Sequence, residues 1–174
     1  VDTLSASAGQ GLLAMLAAEA AMEGMSADEV QALLEEAIPQ TRVFGVADDL
    51  KYAVKGGRVP ASVKKVADLL HVNPVLTANK EGKVGLSGMH WGRGANPVRL
   101  ARTMLGKMKP GTMYRVLISH ADNPEGARQL RQHVLNHHAR IHSCHITDAG
   151  PALGAHFGPG GLITAFTVQP DVLK

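Results

Sequence analysis

Cysteine is almost missing from this sequence, aromatic residues are few and no apolar run is long; each shortage removes a class of function. With Cys144 alone there is no intrachain disulfide, so nothing in the chain calls for an oxidising compartment, and the expected location is the cytoplasm. One tryptophan, two tyrosines and three phenylalanines offer few platforms for base stacking, and the basic residues behind a formal net charge of +3 are scattered. A nucleic-acid partner is therefore not expected. No stretch approaches the ~20 apolar residues that a bilayer-crossing helix needs, so no membrane span is expected either. Methionine is absent from position 1, and Val1-Asp2-Thr3 reads like the end of a strand already under way, which sets the expectation that sequence upstream is missing.

What is present suits a globular chain: 174 residues, 45% hydrophobic and 19% charged, enough to bury one continuous core. Residues 10 to 24 are rich in Ala, Leu and Met, carry no β-branched residue and stop at Gly24, which predicts a mostly buried helix. Ser26 and Glu29 have capping-box spacing for a second helix ending at Pro39. A strand follows at 42 to 47, then Asp48-Asp49 as a cap for a short helix. After Gly56-Gly57-Arg58, Pro60 opens a helix whose apolar face is Val63, Val66, Ala67, Leu69 and Leu70. Asn79 to Gly82 join residues 74 to 78 and 83 to 89 as a hairpin. A helix from Asn96-Pro97 through Met108, a central strand at 114 to 119, a polar helix capped by Asp122 or Asn123 and running to about His138, and strands at 140 to 146 and 162 to 168 complete the alternation. The fold class read from this pattern is α/β, a layered sheet with flanking helices, and the hairpin makes the sheet mixed parallel and antiparallel.

Between residues 150 and 161, five glycines and two prolines surround His156. Such a segment reads as a rigid loop whose amides can turn toward an anion, with a histidine able to hydrogen-bond a carboxylate or phosphate; Gly158 and Gly160 are its candidate ligand-binding glycines. Arg93 precedes a helix N-terminus and is a candidate clamp for the same acid. His133, His137, His138, His142 and His145 cluster, and His133 and His137 stand at i,i+4, a spacing that can bind zinc. No acidic or cysteine ligand completes a set there, so they read as a solvated face and no metal is expected. Ser119, His120 and Asp122 are adjacent without the convergence a triad needs, Asp48 and Asp49 read as caps, and Cys144 reads as a small buried apolar residue. No catalytic residue is assigned.

Four segments, in order, resemble the DegV family: Val1-Asp2-Thr3 with Ser5-Ala6-Ser7-Ala8-Gly9; Asp49-Leu50-Lys51-Tyr52 through Gly56-Gly57-Arg58-Val59; Asn73-Pro74-Val75-Leu76; and Ala155-His156-Phe157-Gly158-Pro159-Gly160. The resemblance spans nearly the whole chain. It implies a bacterial lipid carrier of EDD-type fold, here its C-terminal portion. Residues 1–40 would be a helical segment continuing from a missing N-terminal domain, and 41–174 the C-terminal α/β domain. By the same resemblance the ligand is a long-chain fatty acid such as palmitate, held with no cofactor, its tail in an apolar tunnel and its carboxylate at His156. The chain would be no enzyme itself; a separate DAK-like fatty-acid kinase would phosphorylate the carboxylate. The segment reads His90-Trp91-Gly92-Arg93 where many relatives carry Arg-Gly-Arg, which leaves Trp91 in the place of an arginine. The resemblance also sets an expectation that the helix at 10 to 24 leaves exposed apolar surface for the missing domain or for self-association. Two other readings stay open at this point: an anion- or phosphate-binding transferase domain, and a regulatory protein-interaction domain.

Overall fold

The computed structural model describes residues 1–92, 94–137 and 139–173. Six strands form one sheet: β1 (Arg42–Val46), β2 (Val72–Ala78), β3 (Val84–Trp91), β4 (Met113–His120), β5 (Arg140–Asp148) and β6 (Leu162–Val168). Their order is β3-β2-β1-β6-β4-β5. β4 and β5 pair in parallel and every other pair is antiparallel, so the sheet is mixed and the chain is α/β. The parallel pair is joined through α6 (Pro124–Leu135), as a parallel connection requires.

The strands alternate sides with period two, and each side has its own helices. Phe44, Val46, Val116, Ile118, Leu162 and Phe166 face α5 (Pro97–Leu105) and α6, and with Leu100, Met104 and Leu130 make the main core. The intervening residues Leu117, Ile163 and Ala165 face the other way, onto Ala8 and Leu12 of α1 (Ala8–Met22). On that second side Arg115 is buried, its guanidinium held by Glu19 of α1 and by Gln169. The remaining helices are α2 (Ala27–Ala37), α3 (Lys51–Lys55), α4 (Ala61–Leu70) and α7 (Gly150–Phe157).

Local signals set several boundaries. Ser26 and Glu29 form the full capping box at α2: the Ser26 amide donates to Glu29 at 2.7 Å, and the Glu29 amide donates to the Ser26 hydroxyl. Asn96 caps α5, and Asn123, rather than Asp122, caps α6. The Asp48-Asp49 cap takes a different form, because Leu50 is the capping position and Asp49 accepts the Lys51 amide at 2.8 Å. That hydrogen bond holds the Asp49 carboxyl below its ordinary range, with Lys51 and Lys64 adding smaller contributions of the same sign.

One expectation about apolar surface is corrected. The helix at the start of the chain buries its leucines, with Leu12, Leu13 and Leu16 all but fully buried against the sheet and against α2, and exposes Met22 at its end. The apolar stripe of α4 lies outward instead, with only Ala67 buried and Leu69 77% exposed. A second outward stripe runs along the edge strand β3. Leu86 pairs with Leu76 and Gly88 with Val75, so Ser87 has no opposite residue, and this bulge returns Met89 and Trp91 to the side that Val84 and Leu86 occupy. No helix of the described residues is long and apolar enough to cross a membrane.

Candidate functional site

The segment that reads as a glycine-rich loop is mostly helix. Pro151 stands in the first turn of α7, Leu153 and Phe157 lie one turn apart, and both pack on Ile163 and Ala165 of the sheet. That burial outweighs the ~1 kcal/mol helix penalty of the single interior glycine, Gly154. The amides of the following turn are already engaged: Gly158 donates to the Gly154 carbonyl at 2.8 Å, Gly160 to that of Ala121 at 2.8 Å and Gly161 to that of Gly158 at 3.3 Å. The expectation of free amides aimed at an anion is therefore corrected, and with it the main support for a phosphate-binding transferase.

The glycines serve close packing instead. At Gly158 (φ 71°) a Cβ would lie 2.1 Å from the Tyr52 ring, and at Gly160 (φ 88°) it would lie 2.7 Å from Asp48. Across the same contact, Gly56 at the end of α3 leaves room for the His156 imidazole; a Cβ there would meet Nδ1 at 2.1 Å. Gly45 of β1 does the same beneath the Phe157 ring, at 2.7 Å. The helices α3 and α7 thus interlock through glycines, which fixes the two rings at their interface.

An apolar cleft of about 350 Å³ opens between α7, α3 and this side of the sheet. Its walls include Val43, Leu76, Val84, Leu153, Phe157 and Ile163, and its polar groups include His156 and Arg58. The His156 Nδ1 is buried without a hydrogen-bond partner among the described residues. A buried Nδ1 with nothing to accept its proton favours the tautomer protonated at Nε2, which makes the imidazole a donor through its other nitrogen. The Arg58 side chain is exposed and bonded to the Gly56 carbonyl at 3.2 Å, so a guanidinium belongs to the same lining as the imidazole. Apolar walls with one imidazole and one guanidinium suit an amphipathic acid better than a polar metabolite.

Of the residues proposed from sequence, His156 lies in this cleft, and Gly158 and Gly160 shape the turn behind it. Arg93 lies outside the described residues; its neighbour Gly94 borders a separate polar cleft with Asp48, Asp49 and Asn73. Arg58 was not singled out from sequence, although the Gly56-Gly57-Arg58 block carried part of the resemblance. Ser119, His120 and Asp122 do not form a triad: the Ser119 hydroxyl pairs with that of Ser7 at 2.9 Å, while His120 Nδ1 accepts the Asn123 amide at 3.3 Å. Cys144 is buried, and that burial pushes its thiol pKa up to about 11, against the lowering influence of Arg131. His133, His137, His142 and His145 are exposed, His138 lies outside the described residues, and among the described residues no group of three or more His, Cys, Asp or Glu is placed to hold a metal.

The family model described as an uncharacterised protein of the DegV family matches residues 1–167. The chain belongs to the DegV family. A DegV domain-containing protein of Streptococcus pyogenes serotype M3 is 30% identical over 162 residues, a match covering 93% of this chain and 55% of the relative. Among solved structures, a fatty acid binding DegV family protein of Streptococcus agalactiae is 28% identical with a TM-score of 0.79, covering 98% of this chain and 59% of that one. A DegV family protein of Thermus thermophilus, described by its fatty acid binding, is 26% identical with a TM-score of 0.83, covering 97% and 60% respectively. This DegV chain thus spans somewhat more than half the length of the proteins it matches.

Proposed function

We propose that this DegV-family chain contributes to binding one long-chain fatty acid such as palmitate, with the tail in the apolar cleft under α7 and the carboxylate at the cleft's polar groups. The observation that carries this reading is the pairing of an apolar wall with His156 and Arg58 in one lining. Each buried methylene contributes about 0.8 kcal/mol, so ten of them supply roughly 8 kcal/mol against the cost of association. His156 donates through Nε2 to the carboxylate, Arg58 adds a charge-assisted contact, and Gly158 and Gly160 keep the α7 turn close enough to Tyr52 and Asp48 to hold the imidazole in place. Arg93 is proposed as a further contact to the acid from the β3–α5 connection.

The chain acts as a carrier and has no catalytic residue of its own in this proposal. A separate fatty-acid kinase of the DAK-like class transfers the γ-phosphoryl group of ATP to the carboxylate, giving an acyl phosphate and ADP while the lipid stays bound. Residues 1–40 lead in from an N-terminal domain that completes the carboxylate site, and they pack on the sheet of the C-terminal α/β domain at 41–174. Such a carrier works in the cytoplasm.

The reading is tested by denaturing the purified full-length protein, with the domain that completes the site, and identifying released lipid by mass spectrometry, for the native sequence and for His156→Ala. Released long-chain acid from the native protein and at least tenfold weaker retention by a folded His156→Ala variant is the expected result. A native protein that captures no fatty acid, added or co-purified, would overturn it.

A further inference from the structure

Two clefts of this molecule are divided by one strip of chain. The apolar cleft under α7 and a neighbouring cleft of about 670 Å³ share Val43 and Ala78 as wall residues. They differ in what the segment entering α1 gives to each: Ala6 and Ser7 line the apolar cleft, while Thr3, Leu4 and Ser5 line its neighbour. The second cleft takes Arg42 and Lys80 into its lining beside Leu4, Ile38 and Pro39, so it is the more polar of the two.

This strip is fixed rather than loose. Leu4 (φ 48°) and Ser7 (φ 51°) both hold left-handed backbone conformations that L-residues adopt at a cost, and such conformations persist only where the surroundings impose them. The Ser7 hydroxyl is tied to the buried Ser119 hydroxyl at 2.9 Å. Ser5 sits against Gly9, where a Cβ would come within 2.1 Å of its hydroxyl oxygen. From the opposite side the hairpin turn closes at Gly82 (φ 72°), where a Cβ would lie 3.2 Å from Leu4 Cα. The cleft runs from His156 and Phe157, beside Gly45, along β1 and β2 to Val43 and Ala78; Leu4 and Ser5 stand at that remote end, by Gly82 and by Gly9 next to Val43, while Ser7, bonded to Ser119 in the row Ser119–Ile163–Gly45, flanks the cleft level with Gly45.

We propose that the segment Leu4–Ala6, anchored by Ser7, is the end wall of the apolar cleft and sets the acyl chain length it accepts, with Ala6 as the specificity-determining residue. The proposal rests on the lipid-binding reading above and adds to it where the tail stops. Ala6 is small and exposed, so a larger side chain there projects into the cleft without displacing the core. Ser7 flanks the cleft and anchors the strip, so glycine at that position relaxes the left-handed strain, releases the pin and lets Leu4–Ala6 recede.

The test loads the protein, Ala6→Leu and Ser7→Gly with an equimolar series of saturated acids from lauric to arachidic, and measures both total lipid per protein and the retained chain-length distribution. Loss of room for about two methylenes predicts that Ala6→Leu shifts retention by roughly tenfold toward the shorter acids. Ser7→Gly shifts it toward the longer ones, with both variants folded by circular dichroism. A native protein that takes up no lipid refutes the lipid-binding reading itself. A loaded native protein whose variants carry the same distribution at the same occupancy overturns the end wall and leaves that reading standing. Should Ala6→Leu take up no lipid at all, the Ser7→Gly distribution decides, a shift to longer acids supporting the wall and an unchanged one overturning it.

Discussion

Replacing Gly56 with alanine tests whether the α3–α7 contact positions the imidazole. Gly56 has φ −78°, which alanine adopts without strain, so the perturbation is steric alone. The new Cβ would stand 2.1 Å from His156 Nδ1 and 2.7 Å from its Cε1, so the ring must retreat by more than an ångström to reach ordinary contact. Overpacking of this kind costs about 1–3 kcal/mol of stability. If the ring gives way, it also loses its bond to the carboxylate, a hydrogen bond to a charged group worth roughly 1.5–3 kcal/mol, or about 10- to 150-fold in affinity. Gly57→Ala is the matched control: its φ of 69° penalises alanine by about 1–2 kcal/mol, yet nothing lies within 4 Å of the added Cβ. Thermal melts and displacement of a fluorescent fatty acid would be measured on both. The two variants should lose similar stability, and only Gly56→Ala should lose affinity. Full affinity in a folded Gly56→Ala protein, or an equal loss in Gly57→Ala, would refute a positioning role for Gly56.

Two further outcomes follow from groups elsewhere in the fold. Burial raises the Cys144 thiol pKa to about 11, above its ordinary value near 8.5. The stability this contributes is fully present below that ordinary value and is lost as pH rises through the folded one. The native protein should therefore lose roughly 2 kcal/mol more than Cys144→Ala between about pH 9 and pH 11 in denaturant titrations; parallel curves for the two would contradict it. Asn123 both caps α6, accepting the Gly126 amide at 2.9 Å, and donates to the Gly160 carbonyl at 2.8 Å. Asn123→Ala should cost about 1–2 kcal/mol and lower the melting temperature by several degrees, while Asn123→Asp keeps the cap and recovers about half of the loss.

Much of the fold was legible because its signals are local. The Ser26–Glu29 box, the Asn96 cap and the strand at 162–168 depend on residues within a few positions of each other, and they form as the spacing predicts, while of the two cap candidates before α6 the structure uses Asn123 and not Asp122. The segment at 150–157 reads as a loop in sequence because its glycine count outweighs the pairing of Leu153 with Phe157, whose value depends on a sheet surface that the segment itself does not contain. The outward turn of the α4 stripe has the same origin. Periodicity shows that a helix has an apolar face, and says nothing of whether a neighbour is there to cover it.

The candidate site divides along the same line. The sequence by itself determined that a histidine lies among glycines ahead of the last strand, and that the Gly56-Gly57-Arg58 block accompanies it. Only the tertiary structure decided that those glycines accept rings rather than bind anions, that Gly56 sits under His156, and that Val43, Leu76 and Ala6 line one cleft with it. A cleft is a property of surfaces brought together from distant parts of the chain, and its walls become neighbours only when the sheet order β3-β2-β1-β6 lays them side by side.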